Sequence, residues 1–173
     1  ALALALACGG ASAAPAPALK AGEFTPPRAA PEFSLQGSDG ARLNLQRFRG
    51  KIVLMAFGFT HCAEVCPVTL ATLASARRKL GAAAGEVQVV YVTVDPARDD
   101  AKRMKTYLAT FDKTFVGGTG SETALAAMRK DYGVSARKVP MADGYAVDHS
   151  SSVHFIDRQG KLVAMMPYGR RDD

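Results

Sequence analysis

The sequence predicts an α/β fold with a mixed central sheet, helices on both faces and an N-terminal β-hairpin. Three observations carry this expectation: two nearly unbroken apolar runs at 51–57 and 87–94, a helix-periodic segment between them, and two short strand-like segments closing the chain around Asp157-Arg-Gln-Gly160. A strand covered on both faces reads as a continuous apolar run because neither side meets water. Strand, helix and strand in succession imply parallel pairing, and a closing hairpin adds an antiparallel edge.

Each element has its own signal. Residues 1–13 open with Ala-Leu repeats and lead to Cys8, which reads as the residue of a targeting segment to be set apart from the fold. Two processing readings stand. Leu6-Ala7-Cys8-Gly9 resembles a lipoprotein box that would make Cys8 a lipidated residue, whereas Ala11-Ser12-Ala13 fits ordinary signal cleavage, which discards it. Residues 14–29, rich in Ala and Pro, read as a semi-extended tether. The domain is therefore expected over residues 30–173. In it Phe33 and Leu35 pair with Leu43 and Leu45 around the turn residues Gly37-Ser38-Asp39-Gly40. A helix is expected over 65–80, with Pro67 in its first turn, Leu70, Leu73, Ala74 and Leu80 inward, and Gly81 past its end. Asp99 is positioned to cap a helix carrying Met104, Tyr107, Leu108 and Phe111, and Leu125, Met128 and Tyr132 mark another before Gly133. Strands are expected at 145–147, 153–156 and 162–166, the order of a thioredoxin-like domain.

Composition sets the outer limits. With 173 residues, 48% hydrophobic and 22% charged, the chain supports one packed core and is not mostly disordered. No apolar run approaches the roughly 20 residues of a membrane-spanning helix, so membrane attachment is expected only through an N-terminal lipid or an uncleaved anchor. The net charge of +6 is spread over Arg77-Arg78-Lys79, Lys102-Arg103, Arg137-Lys138 and Arg170-Arg171 without interleaved aromatics, which argues against nucleic acid as a partner. Arg137 and Lys138, near a candidate ligand loop, are expected to help dock an acidic partner.

The chemistry gathers where the first buried strand meets the helix. Cys62 and Cys66 are four residues apart, one in the entry loop and one in the first turn, so their sulfurs can share a side. A helix N-terminus favours negative charge, and both thiols are expected to have lowered pKa values. Thiolates serve redox exchange and soft-metal binding alike, so a third group must decide between them. His149, between two C-terminal strands, is the best candidate, because loops at that end of such a sheet approach the start of the helix. Two thiolates and one imidazole suit Cu(I), with Zn²⁺ able to use the same donors. Asp148 is expected to orient the loop or the ring from behind.

Four motifs in order make a resemblance specific: Gly58-Phe-Thr-His-Cys62-x3-Cys66-Pro67, Val94-Asp95-Pro96-x-Arg98-Asp99, Phe115-Val-Gly-Gly-Thr-Gly120 and Tyr145-x-Val-Asp-His149-Ser150. They closely resemble the Sco/SenC family of copper chaperones, over nearly the whole domain. The resemblance implies that Cys62, Cys66 and His149 bind copper, as Cu(I) or Cu(II), for delivery to the dinuclear copper site of cytochrome c oxidase. It also implies the partners: the copper-site subunit of that oxidase, a thioredoxin-like reductant and an upstream copper donor. The expected location is the periplasmic side of the bacterial inner membrane, lipid-anchored or soluble. Some members act as thiol reductases that prepare the copper site, which makes a thiol-disulfide oxidoreductase using Cys62 and Cys66 the alternative. Two departures are visible: Ala63 stands where the family usually has proline, and 135–144 is a short basic stretch where a longer loop is common.

The other histidines are expected to stay out of the chemistry. His61 adjoins Cys62, but consecutive side chains diverge, and His154 sits in an alternating strand, where packing explains it. Asp95 reads as a strand-end turn residue, with Arg98 and Asp99 as local partners.

Overall fold

The structure, a computed structural model, describes residues 21–168. Ten strands and three α-helices follow one another as β1 (Gly22–Ala29), β2 (Leu35–Gly37), β3 (Arg42–Leu43), β4 (Ile52–Gly58), α1 (Val65–Lys79), β5 (Val87–Thr93), α2 (Ala101–Ala109), β6 (Val116–Thr119), α3 (Glu122–Tyr132), β7 (Ala136–Met141), β8 (Gly144–His149), β9 (Ser152–Ile156) and β10 (Lys161–Pro167). Eight strands form one sheet in the order β1-β10-β9-β4-β5-β6-β2-β3, and β7 pairs with β8 apart from it. The centre, β4-β5-β6, is parallel, and every other pair is antiparallel.

Register places the helices. Ala56 lies opposite Tyr91 and Tyr91 opposite Gly117, so these three share one face; Phe57, Val92 and Gly118 share the other. A Cβ on Gly117 would stand 2.9 Å from Met104 Cβ, so α2 packs closely on the first face. The Phe57 and Tyr132 rings lie 5.8 Å apart, so α3 covers the second. Helices on both sides bury Val89, Val90 and Val92 completely, which is why β5 reads as an unbroken apolar run. The helix α1 presents Leu70, Leu73 and Ala74 to the core, whereas Leu80, expected inward, is the C-cap beyond Lys79 and is 45% exposed. Glu64 at the helix start makes no side-chain cap, which leaves the first-turn N–H groups free for the neighbouring loop.

Other expectations are corrected as well. Residues 22–29 are not tether: β1 is an edge strand paired with β10 from Gly22 opposite Met165 to Ala29 opposite Lys161, with an irregular register between Glu23 and Arg28. Pro26 and Pro27 fall in that irregular stretch, where a strand edge tolerates their missing donors. Asp99 does not cap α2; Asp100 does, accepting from Arg103 N, while Asp99 is fully buried. The strands β7 and β8 form a hairpin of their own from Ala136 to His149, so the expected strand at 145–147 belongs to that hairpin rather than to the main sheet. Cys8, Arg170 and Arg171 lie outside the described residues.

Candidate functional site

The last residue of β4, Gly58, opens a short loop to α1. Cys62 N donates to Phe59 O at 3.3 Å, a turn that swings the Cys62 side chain toward the helix start. Thr60 anchors the loop: its N and Oγ1 donate to the buried Asp99 carboxylate at 3.0 and 2.6 Å, and Thr93 Oγ1 donates to the same group at 2.7 Å. Asp99 thus ties the loop between β4 and α1 to the end of β5. Arg103 Nε donates to Thr60 Oγ1 at 2.7 Å, and its Nη2 lies 3.3 Å from His61 Nε2. His61 is exposed and turned toward Arg103 and Asp99.

Cys62 is half-buried, Cys66 is 2% exposed, and both are free thiols. Their sulfurs and a ring nitrogen of His149 lie within 4.8 Å of one another, and His149 Nε2 stands 3.6 Å from Cys66 Sγ across 83 residues of sequence. His149 Nδ1 lies 3.0 Å from Ser150 O, a group that can only accept, so Nδ1 carries the proton and Nε2 offers its lone pair to the sulfurs. The ring also meets Phe59 edge-on, with centroids 5.7 Å apart.

The two thiols differ, contrary to the expectation of two lowered pKa values. Burial opposes the Cys62 thiolate, but the backbone N–H groups of Cys66, Glu64 and Val65 at the uncapped helix start outweigh it, and the pKa is lowered. Burial dominates at Cys66 and pushes its thiol up to about 12, against the nearby Tyr91 hydroxyl and the Phe59 backbone, which favour the thiolate.

The hairpin that carries His149 is held from below. Asp95 is fully buried, pairs with Arg98 and accepts from Tyr145 Oη at 2.8 Å. Asp95 and Arg98 are therefore more than a strand-end turn: they brace β8. Asp148 and His149 are successive strand residues and point to opposite sides. The Asp148 carboxylate accepts from Arg137 at 3.0 Å on the exposed face, and the partner of the ring is the Ser150 carbonyl instead. Asp148 thus makes no contact with the ring, and its hold on the loop is one exposed ion pair. His154 is 1% exposed and packed edge-on against Phe57 and Tyr132, while Met104 and Met128 are core residues and Met141 is exposed.

Residues 22–173 match the SCO1/SenC family. The chain belongs to that family. The mouse protein SCO2 homolog, mitochondrial, is 39% identical over 143 residues, which cover 80% of this chain and 55% of the mouse protein. The chain spans about half the length of the curated relatives it matches. Bradyrhizobium japonicum ScoI, solved with copper bound, superposes with a TM-score of 0.77 at 34% identity, covering 83% of this chain and 92% of that one. BsSco, described as a Sco protein of cytochrome c oxidase assembly with a disulfide switch, reaches a TM-score of 0.65 at 26% identity, covering 80% of this chain and 82% of that one. The SCO1/SenC fold is the thioredoxin-like α/β arrangement expected from the element order.

Proposed function

We propose that this SCO1/SenC protein is a copper-binding metallochaperone, which holds copper between Cys62, Cys66 and His149 and delivers it to, or prepares, the dinuclear copper site of cytochrome c oxidase. The observation that carries this reading is the cluster of two sulfurs and one imidazole nitrogen within 4.8 Å. Soft thiolate sulfur selects Cu(I), and a low coordination number is acceptable to that ion. The half-exposed Cys62 thiolate meets incoming copper first. Cys66 gives up its proton when the metal binds, which compensates the burial that otherwise favours the neutral thiol. His149 closes the set, already in the tautomer with Nε2 free. An acceptor bearing its own thiolates then exchanges ligands from the Cys62 side. The copper donor and a thioredoxin-like reductant that keeps both thiols reduced act on the same exposed sulfur.

The place of action is the periplasmic side of the inner membrane, with the domain anchored through Cys8 or released as a soluble protein. Among the described residues no helix is long and apolar enough to cross a membrane.

A second reading has one observation in its favour. The half-exposed Cys62, lowered in pKa, and the buried, raised Cys66 form the asymmetric pair that a thiol-disulfide oxidoreductase uses as attacking and resolving thiols. Copper stoichiometry and competition affinity of the reduced protein, beside Cys62→Ser, Cys66→Ser and His149→Ala, separate the two. The chaperone reading expects one copper per chain and a weakened complex in all three variants. If His149→Ala binds Cu(I) and Cu(II) as tightly as the parent while the dithiol reduces a protein disulfide efficiently, the oxidoreductase takes its place.

A further inference from the structure

Tyr91 lies in the middle of β5 and is 1% exposed, yet its hydroxyl has no hydrogen-bond partner. Burying a phenol oxygen without a partner costs stability that a phenylalanine of the same shape would avoid. Its surroundings indicate what the hydroxyl is for. A Cβ at Gly58 would collide with Tyr91 Oη and stand 2.7 Å from Cys66 Sγ, so hydroxyl and sulfur share the gap left by that glycine. The gap opens into a cleft lined by Val65, Cys66, Thr69, Tyr91, His149 and Ser151. No nitrogen or oxygen of the cleft accepts from Tyr91, and Cys66 Sγ, on the same gap at Gly58, is the acceptor that remains. A neutral thiol accepts weakly, whereas a metal-bound thiolate is a strong acceptor.

We propose that Tyr91 is a positioning residue for copper, whose buried hydroxyl donates a hydrogen bond to Cys66 Sγ once that sulfur is bound as thiolate. The proposal rests on the reading of Cys62, Cys66 and His149 as the copper ligands. Donation from the hydroxyl draws electron density off the sulfur and fixes its lone pairs, which favours Cu(I) over Cu(II) and holds Cys66 toward His149. The unpartnered hydroxyl is then a donor placed for the copper-bound sulfur.

The test uses the full chain, reduced, as parent, Tyr91→Phe and Tyr107→Phe. Tyr107 is a fair control because its hydroxyl is also buried without a partner and its ring lies 6.5 Å from that of Tyr91. Three readouts are taken: Cu(I) affinity by chelator competition, the thiolate-to-Cu(II) charge-transfer band, and thermal unfolding of the metal-free form. Tyr91→Phe is expected to bind Cu(I) about tenfold more weakly, the scale of one hydrogen bond to a charged acceptor. Its charge-transfer band moves to longer wavelength, because the sulfur becomes the better donor. Its metal-free form unfolds no earlier than the parent. Tyr107→Phe leaves the band in place. An unmoved band in Tyr91→Phe overturns the proposal whatever the affinity does, and so does an equal movement in Tyr107→Phe. A parent that binds no copper overturns instead the ligand reading beneath it.

Discussion

Arg98 grips Tyr145 twice: its guanidinium lies 3.9 Å from the ring centroid and its Nη1 donates to the Tyr145 carbonyl at 3.1 Å. The same guanidinium lies 5.7 Å over Phe59, whose ring in turn meets His149 edge-on. One side chain from the turn after β5 thereby sets the height of β8 and the plane against which the His149 ring rests. Lysine would keep the charge but lose the planar stack and the forked donors. Arg98→Lys is therefore expected to cost about 1–2 kcal/mol of stability and to weaken Cu(I) binding while Cys62 and Cys66 stay in place. Amide exchange along 136–149 and chelator competition check this. Unchanged protection and affinity would mean that the hairpin holds itself.

Gly58 is required by space rather than by backbone conformation. A Cβ there would collide with the Tyr91 hydroxyl and crowd Cys66 Sγ and Tyr91 Cζ at 2.7 and 2.8 Å, inside ordinary contact distance. Gly58→Ala is expected to destabilise the fold by about 1–3 kcal/mol, the usual cost of overpacking. Tyr91→Phe removes the nearest obstacle, so Gly58→Ala should cost less stability in the Tyr91→Phe background than in the parent. Denaturant unfolding of the four proteins gives the coupling, and strict additivity would sink the steric account.

What could be read from the sequence follows from what each residue has to do. The strands β4 and β5 were plain because burial on both faces removes all polar alternation, and the Cys62/Cys66 pair was plain because the helix boundary at Pro67 fixes where the sulfurs sit. The edge strand β1 was not, since an exposed edge carrying Pro26 and Pro27 has the composition of a tether. The exchange of Asp99 for Asp100 arose because two neighbouring carboxylates offer the same capping chemistry and only burial separates them. For the β7-β8 hairpin a signal was present in Asp143-Gly144 between alternating residues, although the two-residue loop itself is Ala142-Asp143 and Gly144 opens β8. The unequal thiols could not have been anticipated, because the depth of Cys66 depends on β5 packing over it.

Asp148 supplies a negative prediction. Its ion pair with Arg137 is exposed on both sides, with 66% and 73% of the side chains accessible. Such pairs are screened by water and salt and contribute little. Asp148→Ala should leave Cu(I) affinity and unfolding within error of the parent, while His149→Ala does not. A clear loss of affinity in Asp148→Ala, measured by the same competition, would restore the carboxylate to the metal environment.

The thiol asymmetry fixes a direction for pH. In the folded protein Cys66 holds its proton to about 12, whereas an ordinary cysteine, like that of the unfolded chain, loses it near 9.0. Between those values the unfolded state binds fewer protons than the folded one, so stability falls as pH rises, by up to about 1.4 kcal/mol per unit from this group. Cys62 works the other way: its lowered pKa adds stability that is fully present above 9.0 and is lost as pH falls through the folded value. From pH 9 to 10, below the ordinary tyrosine value of 10.0, the Cys66 contribution is the steeper one. Metal-free, reduced parent protein should therefore lose stability over that unit of pH faster than Cys66→Ser in denaturant titrations. Alkylation followed by peptide mapping gives the matching kinetic result, with Cys62 modified near neutral pH and Cys66 protected. Equal slopes in parent and variant, or equal alkylation of the two sulfurs, would contradict the burial of Cys66 as the source of the difference.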